Sequence, residues 1–336
     1  MTVNRRTLYL LVTVALVGFA ILLNLDFLQN RQAVRMDFRS FYTAWDVAAQ
    51  GGDIYNVTAL QAVSDTSLGK ARVYPYLYPP TFAVLGAPLS SLTPPVAQTV
   101  WNWLLVVLAG LLTALSVMMA ARAGPHAMAD AQLGSEPSPT RIVGLAVLGA
   151  LLLALLSLRN NLAMGQVNVV VLVCITVGLF AFHRDRPAWA GAALAVAAMI
   201  KMWPAALLLL PLAQRQWRAF FGFAAMSIAT FLLVGFIGGF GYWGDFLGFV
   251  FGSVGDGAIS GLFELDVSWN FSLKAYAMRL FGAGAFSTII TLAAVLTMVW
   301  YVIRRVRQRA RGAPLPWLAM LVLMVVSSPV AYVHHA

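Results

Sequence analysis

Apolar residues in this chain come in long runs separated by short polar loops. A helix that crosses a bilayer needs about 20 predominantly apolar residues. Runs of that kind lie at Thr7 to Leu25, Ala97 to Ala120, Ile142 to Leu158, Val167 to Phe182, Ala219 to Phe240, Ala285 to Ile303 and Trp317 to Val333, which predicts seven spans. Two further apolar stretches do not fit the same pattern. Thr81 to Leu92 is bracketed by Pro79-Pro80 and Pro94-Pro95, is too short to span comfortably, and reads as re-entrant. Ala188 to Leu212 has basic residues beyond both ends and holds Lys201-Met202-Trp203-Pro204 in its middle. Proline removes a backbone donor and disfavours helix at the residue before it, so two short helices are predicted there, with Lys201 near their apex.

Composition supports the same class. The chain of 336 residues is 61% hydrophobic and only 10% charged, which excludes an ordinary soluble domain and marks an all-α polytopic membrane protein. The formal charge of +10 follows from Lys and Arg held in short loops that stay cytoplasmic, and nucleic-acid binding is not needed to explain it. With the N-terminus inside, the loops carrying Arg122 and Arg141, Arg184 and Arg186, Arg215 and Arg218, and Arg304 to Arg311 all become cytoplasmic. Arg5 and Arg6 precede the first run and no A-x-A cleavage pattern follows it, so that run reads as a retained signal anchor. Cys174 is the only cysteine, which rules out an internal disulfide and a multi-thiolate metal site.

That topology gathers the polar motifs on the outer face. They include Asp37 and Asp46, the tract Tyr74 to Pro80, Asn160-Asn161 with Gln166 and Asn168, the Lys201 apex, Glu264 with Asp266 and Asn270, and His334-His335. Residues 26–80 are then a first outer loop with an interfacial helix, and residues 241–282 a second. Each motif has a structural alternative. Asp37 before Phe38, Phe41, Tyr42 and Trp45 describes a helix lying on the membrane with an Asp cap, ended by Gly51-Gly52. Tyr76 and Tyr78 suit either a rigid interfacial aromatic belt or stacking on a sugar ring or isoprenoid tail. Asn160, Asn161, Gln166 and Asn168 serve equally to join helices, and Lys201 is either turned to a cavity or snorkelling. Adjacent His334 and His335 point apart on a helix, so no metal site is assigned to them.

Several segments together resemble a known family. DFRSFYTAWDVAAQGGDIYN, YLYPPTFAVLGAPLSSLTP, GQVNVVVL, AGAALAVAAMIKMWPAALLLLPLAQRQWRA, WNFSLKAYAMRL and SSPVAYVHH occur in the order found in the polyprenol-phosphate-mannose-dependent mannosyltransferases of actinobacterial envelopes, glycosyltransferase family 87. The resemblance implies a C-type glycosyltransferase-like helical bundle with interfacial helices in the first outer loop, an essential aspartate in that loop, a lipid-linked sugar donor and an active site facing away from the cytoplasm. Asp37 matches that aspartate by position. Family members usually continue through further spans after the match to His335, so C-terminal spans are expected to be missing from the single domain formed by residues 1–336.

Chemistry then assigns roles. Transfer from a polyprenyl monophosphate with inversion needs one carboxylate to take the proton from the acceptor hydroxyl, and Asp37 is the candidate base. Lys201, Arg39, His334 and His335 are candidates to stabilise the departing phosphate. Tyr76, Tyr78, Gln166, Asn168 and Asn270 are candidates to bind sugar and acceptor. These cations can balance a monophosphate, so neither a metal nor any cofactor beyond the sugar-phosphate co-substrate is expected. No Gly-rich phosphate loop or nucleotide-binding βαβ unit is apparent, which argues against a cytoplasmic nucleotide sugar. The partners implied are membrane lipids, the polyprenyl-phosphate donor and a glycolipid or glycan acceptor. A transporter or flippase, and a non-catalytic membrane subunit, remain the alternatives from other classes.

Overall fold

A computed structural model describes residues 5–25, 28, 34–122, 139–154, 161–252, 258–259, 263–264, 270, 272–308, 317 and 319–323. The chain is an all-α membrane protein. The helices bounded within those residues are, in order, α1 (Arg5–Leu23), α2 (Met36–Ala49), α3 (Val57–Ser67), α4 (Pro80–Gly86), α5 (Pro94–Arg122), α6 (Pro139–Leu153), α7 (Asn168–His183), α8 (Pro187–Ile200), α9 (Leu209–Ala213), α10 (Trp217–Gly238), α11 (Gly241–Gly252), α12 (Leu273–Phe281) and α13 (Ala285–Arg307). Short 3-10 turns join α4 to α5 at Ala87–Ser91 and α8 to α9 at Trp203–Leu208. A two-residue antiparallel pairing sets Ala258 opposite Glu264 and Ile259 opposite Phe263.

Among the described residues, three helices are long and apolar enough to cross a membrane: Pro94–Ala121, Trp217–Gly238 and Ala285–Arg307. At 1.5 Å per residue, even the shortest reaches roughly 33 Å, enough for a hydrocarbon core of about 30 Å. Three other predicted runs form shorter apolar helices, Thr7–Leu23, Ile142–Leu151 and Asn168–His183. The seventh, Trp317 to Val333, lies outside the described residues except for 317 and 319–323. Both irregular stretches break where proline dictates. The run through Lys201 is α8, an extended Lys201 (φ −146, ψ 119) and then a 3-10 turn carrying Pro204. Between the two proline pairs, α4 spans only Pro80–Gly86 before it tightens into 3-10 geometry.

Small residues set the packing, as they do where lipid removes the hydrophobic drive between helices. A Cβ on Gly110 of α5 would stand 2.6 Å from Val17 Cα of α1, and one on Gly149 of α6 would stand 2.8 Å from Thr113 of α5. These contacts make α1, α5 and α6 one group. A second group is α7, α8 and α10, in which Gly191 meets the Ala219 backbone and Gly222 meets the Ala188 backbone. The outer flanks stay apolar and unpacked: Phe236 is 78% exposed and Leu296 66%, as lipid-facing surface should be.

The α2 helix differs from the membrane-lying helix weighed above. Its aromatic face turns into the protein, with Phe38, Phe41, Tyr42 and Trp45 all buried. Trp45 packs edge-on to Phe38, Phe82 and Trp101, and Phe41 to Tyr78 and Phe82. Close apposition of α4 requires Gly86, where a Cβ would lie 2.1 Å from Trp45 Nε1. Nor is Asp37 a cap. Arg35 is the N-cap residue, it makes no side-chain cap, and Asp37 lies within the first turn. That leaves its carboxylate for another use. The helix ends as predicted, with Gly51 in the left-handed region at φ +72.

Candidate functional site

Two segments far apart in sequence meet at the start of α2. Trp101 of α5 donates from Nε1 to the Gly165 carbonyl at 2.7 Å, anchoring the loop before α7. Gly165 sits at φ +74, and a Cβ there would stand 3.2 Å from Phe38 Cβ. The loop therefore presses directly on α2. One residue further on, the Gln166 amide donates from Nε2 to Asp37 Oδ2. Its own carbonyl, Oε1, accepts from the Tyr78 hydroxyl at 3.4 Å. Gln166 is thus used at both ends, and its amide orientation is fixed by opposed partners.

A second polar chain runs beside the first. Lys201 donates from Nζ to Asn168 Oδ1 at 2.8 Å, and Asn168 Nδ2 donates to Asn161 Oδ1 at 2.8 Å. Lys201 Nζ also stands 5.6 Å from the centre of the Tyr78 ring, so one tyrosine touches both chains. The ammonium is held at the break in α8, where it leaves the helix as an extended residue. Lys201 is turned to polar partners inside the protein, which removes the snorkelling alternative.

Burial pushes the Asp37 carboxyl above the usual carboxylate range. The Gln166 hydrogen bond and the positive charge of Lys201 oppose that rise but do not cancel it. A carboxylate with raised basicity, an amide that fixes its angle and an ammonium within electrostatic reach form a set that can accept a proton beside a developing negative charge.

Of the remaining candidates, Tyr76 is fully buried and donates its hydroxyl to the Pro79 carbonyl at 3.1 Å, between the rings of Tyr55 and Tyr78. It shapes the aromatic wall behind Tyr78. Arg39 turns back along its own helix, its Nε donating to the Val34 carbonyl at 2.9 Å. Asn270 is fully buried, and its Oδ1 accepts from Ser272 N at 3.1 Å at the start of α12. Its carbonyl accepts from Arg279. His334 and His335 lie outside the described residues. Among those residues no three His, Cys, Asp or Glu side chains gather to hold a metal ion.

Sequence reasoning passed over the residues that aim the site. Gln98 of α5 accepts the Arg35 backbone N–H at 2.6 Å and fixes how the chain enters α2. Tyr55 donates to the Tyr78 carbonyl at 2.9 Å. Gly165 makes the close approach possible. A glutamine one turn into an apolar run and a lone glycine beside a polar cluster were the available signals.

The profile of Glycosyltransferase family 87 matches residues 76–331, which takes in Tyr78, Gln166, Asn168 and Lys201 and begins after α2. A curated relative, the polyprenol-phosphate-mannose-dependent alpha-(1-2)-phosphatidylinositol mannoside mannosyltransferase of Mycobacterium tuberculosis, is 32% identical over 166 residues. That match covers 48% of this chain and 37% of the relative. The chain thus spans little more than a third of the length of the curated relative it matches. No solved structure matches it. A family match over this extent, on an all-α membrane protein, shows that the chain belongs to glycosyltransferase family 87.

Proposed function

We propose that this multi-pass protein moves a hexose, mannose, from a polyprenyl-phosphate donor to a cell-envelope glycolipid or glycan on the extracytoplasmic side, with inversion at the anomeric carbon. The acceptor hydroxyl oxygen forms the new bond to the anomeric carbon while the bond from that carbon to the donor phosphate oxygen breaks. Asp37 takes the hydroxyl proton, and the polyprenyl phosphate leaves with the bonding pair. Lys201 offsets the negative charge that builds on the phosphate as it departs, with no metal required. Gln166 holds the Asp37 carboxylate at the angle the transfer needs, and Tyr78 offers the ring of a sugar-stacking surface.

The observation that carries this reading is the pairing of Asp37 with Gln166 and, through charge, with Lys201 at the break of α8. The curated relative's name supplies the donor class, a polyprenol-phosphate mannose, and an acceptor class, a phosphatidylinositol mannoside. The test incubates membranes carrying the full chain with polyprenyl-phosphate mannose and envelope lipid acceptors and reads products by mass spectrometry. A mannosylated lipid with wild type, and none with a normally inserted Asp37→Asn, supports the assignment. Unchanged turnover in that variant removes Asp37 as the base, and product from a nucleotide sugar alone removes the donor class.

A further inference from the structure

At the opposite end of α8 from Lys201 lies a cavity of about 370 Å3, lined by Asp185, Pro187, Arg215, Gln216, Trp217 and Arg218. Since α8 has 14 residues, the two ends are separated by roughly 20 Å, and the cavity is no part of the Asp37 site. Its walls are the starts of α8 and α10, drawn together because both crossing points are glycine. A Cβ on Gly191 would stand 1.8 Å from the Ala219 carbonyl oxygen, and one on Gly222 would stand 2.0 Å from that of Ala188. Each loop is closed by its backbone: Arg186 N donates to the Ala181 carbonyl and Gln216 N to the Pro211 carbonyl, both at 2.9 Å.

Inside this frame the charges are unbalanced. No hydrogen bond or ion pair joins the Arg215 or Arg218 guanidinium to another of the described residues. The Gln216 side chain does not cap α10. The first residues of α8 and α10 carry a collar of exposed aromatic rings: Trp189 is 64% exposed, Trp217 60% and Phe221 65%. Rings with an apolar body and a polar edge collect where headgroups meet acyl chains, and Trp217 belongs both to the collar and to the cavity wall. A free phosphate ion has no use for that collar. Asp185, the acidic wall, repels a second negative charge but accepts hydrogen bonds from hydroxyls.

We propose that this cavity holds the headgroup of an anionic phospholipid that is singly charged and bears hydroxyls, in the leaflet faced by the basic loops. Arg215 and Arg218 take its phosphodiester, Asp185 takes a headgroup hydroxyl, and the acyl chains lie along the aromatic flank of α10.

Native mass spectrometry of the purified full chain, in detergent supplied with equal phosphatidylglycerol and phosphatidylcholine, tests it. The wild type should retain one phosphatidylglycerol in preference to phosphatidylcholine. Arg215→Gln with Arg218→Gln should lower that retention roughly ten-fold, the scale of losing a charge-assisted pair. Arg218→Lys, which keeps the charge but not the fork, should give an intermediate loss. Arg304→Gln with Arg305→Gln, which removes equal charge from the end of α13, should leave retention as it was. Equal retention of the two lipids, full retention in the double variant, or the same loss in the control pair would each overturn the proposal. Displacement of the lipid by inorganic phosphate would make the cavity a phosphate site and overturn it as well.

Discussion

The two ends of α8 carry the same kind of group in opposite circumstances. At its C-terminal end, the Lys201 ammonium is turned inward, bonded to Asn168 and backed by Asn161. At its N-terminal end, Arg215 and Arg218 across the gap are exposed and open to solvent or headgroups. Charge in a membrane protein is costly wherever it is enclosed, so an enclosed lysine persists only for a task, whereas exposed arginines satisfy topology at little cost. The comparison predicts that substitutions at the Lys201 end change chemistry and that those at the other end do not.

The largest effect should come from Asp37→Asn. It keeps the shape and the Gln166 contact but removes the proton acceptor, and loss of a positioned base costs about 10²–10⁴-fold in rate. Single-turnover measurement with saturating donor separates this from weaker binding. Next comes Lys201→Met, which fills similar space without charge. Its loss should approach the roughly 10²–10³-fold of a lost charge-stabilising group, and should appear in turnover more than in acceptor KM. Equal rates in this variant and in wild type would put the two ends of α8 on the same footing and sink the comparison.

Gln166→Ala has a subtler signature, because it changes when Asp37 is ionised. The base works only as carboxylate, so turnover rises as pH passes upward through its pKa. Burial raises that pKa, and the Gln166 hydrogen bond partly restrains the rise. Removing the amide releases the restraint, so the acid limb should move to higher pH and the deficit should shrink in alkaline buffer. A uniform loss at all pH values would mean that Gln166 only supports the fold.

How much of this was legible beforehand depends on the kind of information each feature needs. The break at Lys201 was readable because Pro204 dictates it locally, and the helix holding Asp37 because Gly51-Gly52 ends it locally. The partner of Asp37 was not, since Gln166 lies 129 positions away and any of several amides in that cluster fitted the same pattern. The facing of α2 stays open in the sequence for a different reason. Phe38, Phe41 and Trp45 are equally at home against lipid or protein, and only the contacts with Phe82 and Trp101 decide between them.

The smallest pair of effects tests the comparison through the backbone alone. Gly165 and Asp185 both occupy the left-handed region, at φ +74 and φ 54, in the two loops that flank α7. Gly165→Ala must adopt a conformation costing about 1–2 kcal/mol for an L-residue while its Cβ crowds Phe38 at 3.2 Å. Thermal stability should fall by a few degrees, and turnover with it, as Gln166 is drawn off Asp37. Asp185→Gly relieves the same kind of strain, but aspartate tolerates that region well and glycine gains freedom in the unfolded chain, so the terms nearly cancel. Its melting temperature and its rate should both match wild type. If Asp185→Gly slowed transfer as much as Gly165→Ala, the loop after α7 would be part of the catalytic apparatus and the two ends of α8 would no longer be distinct.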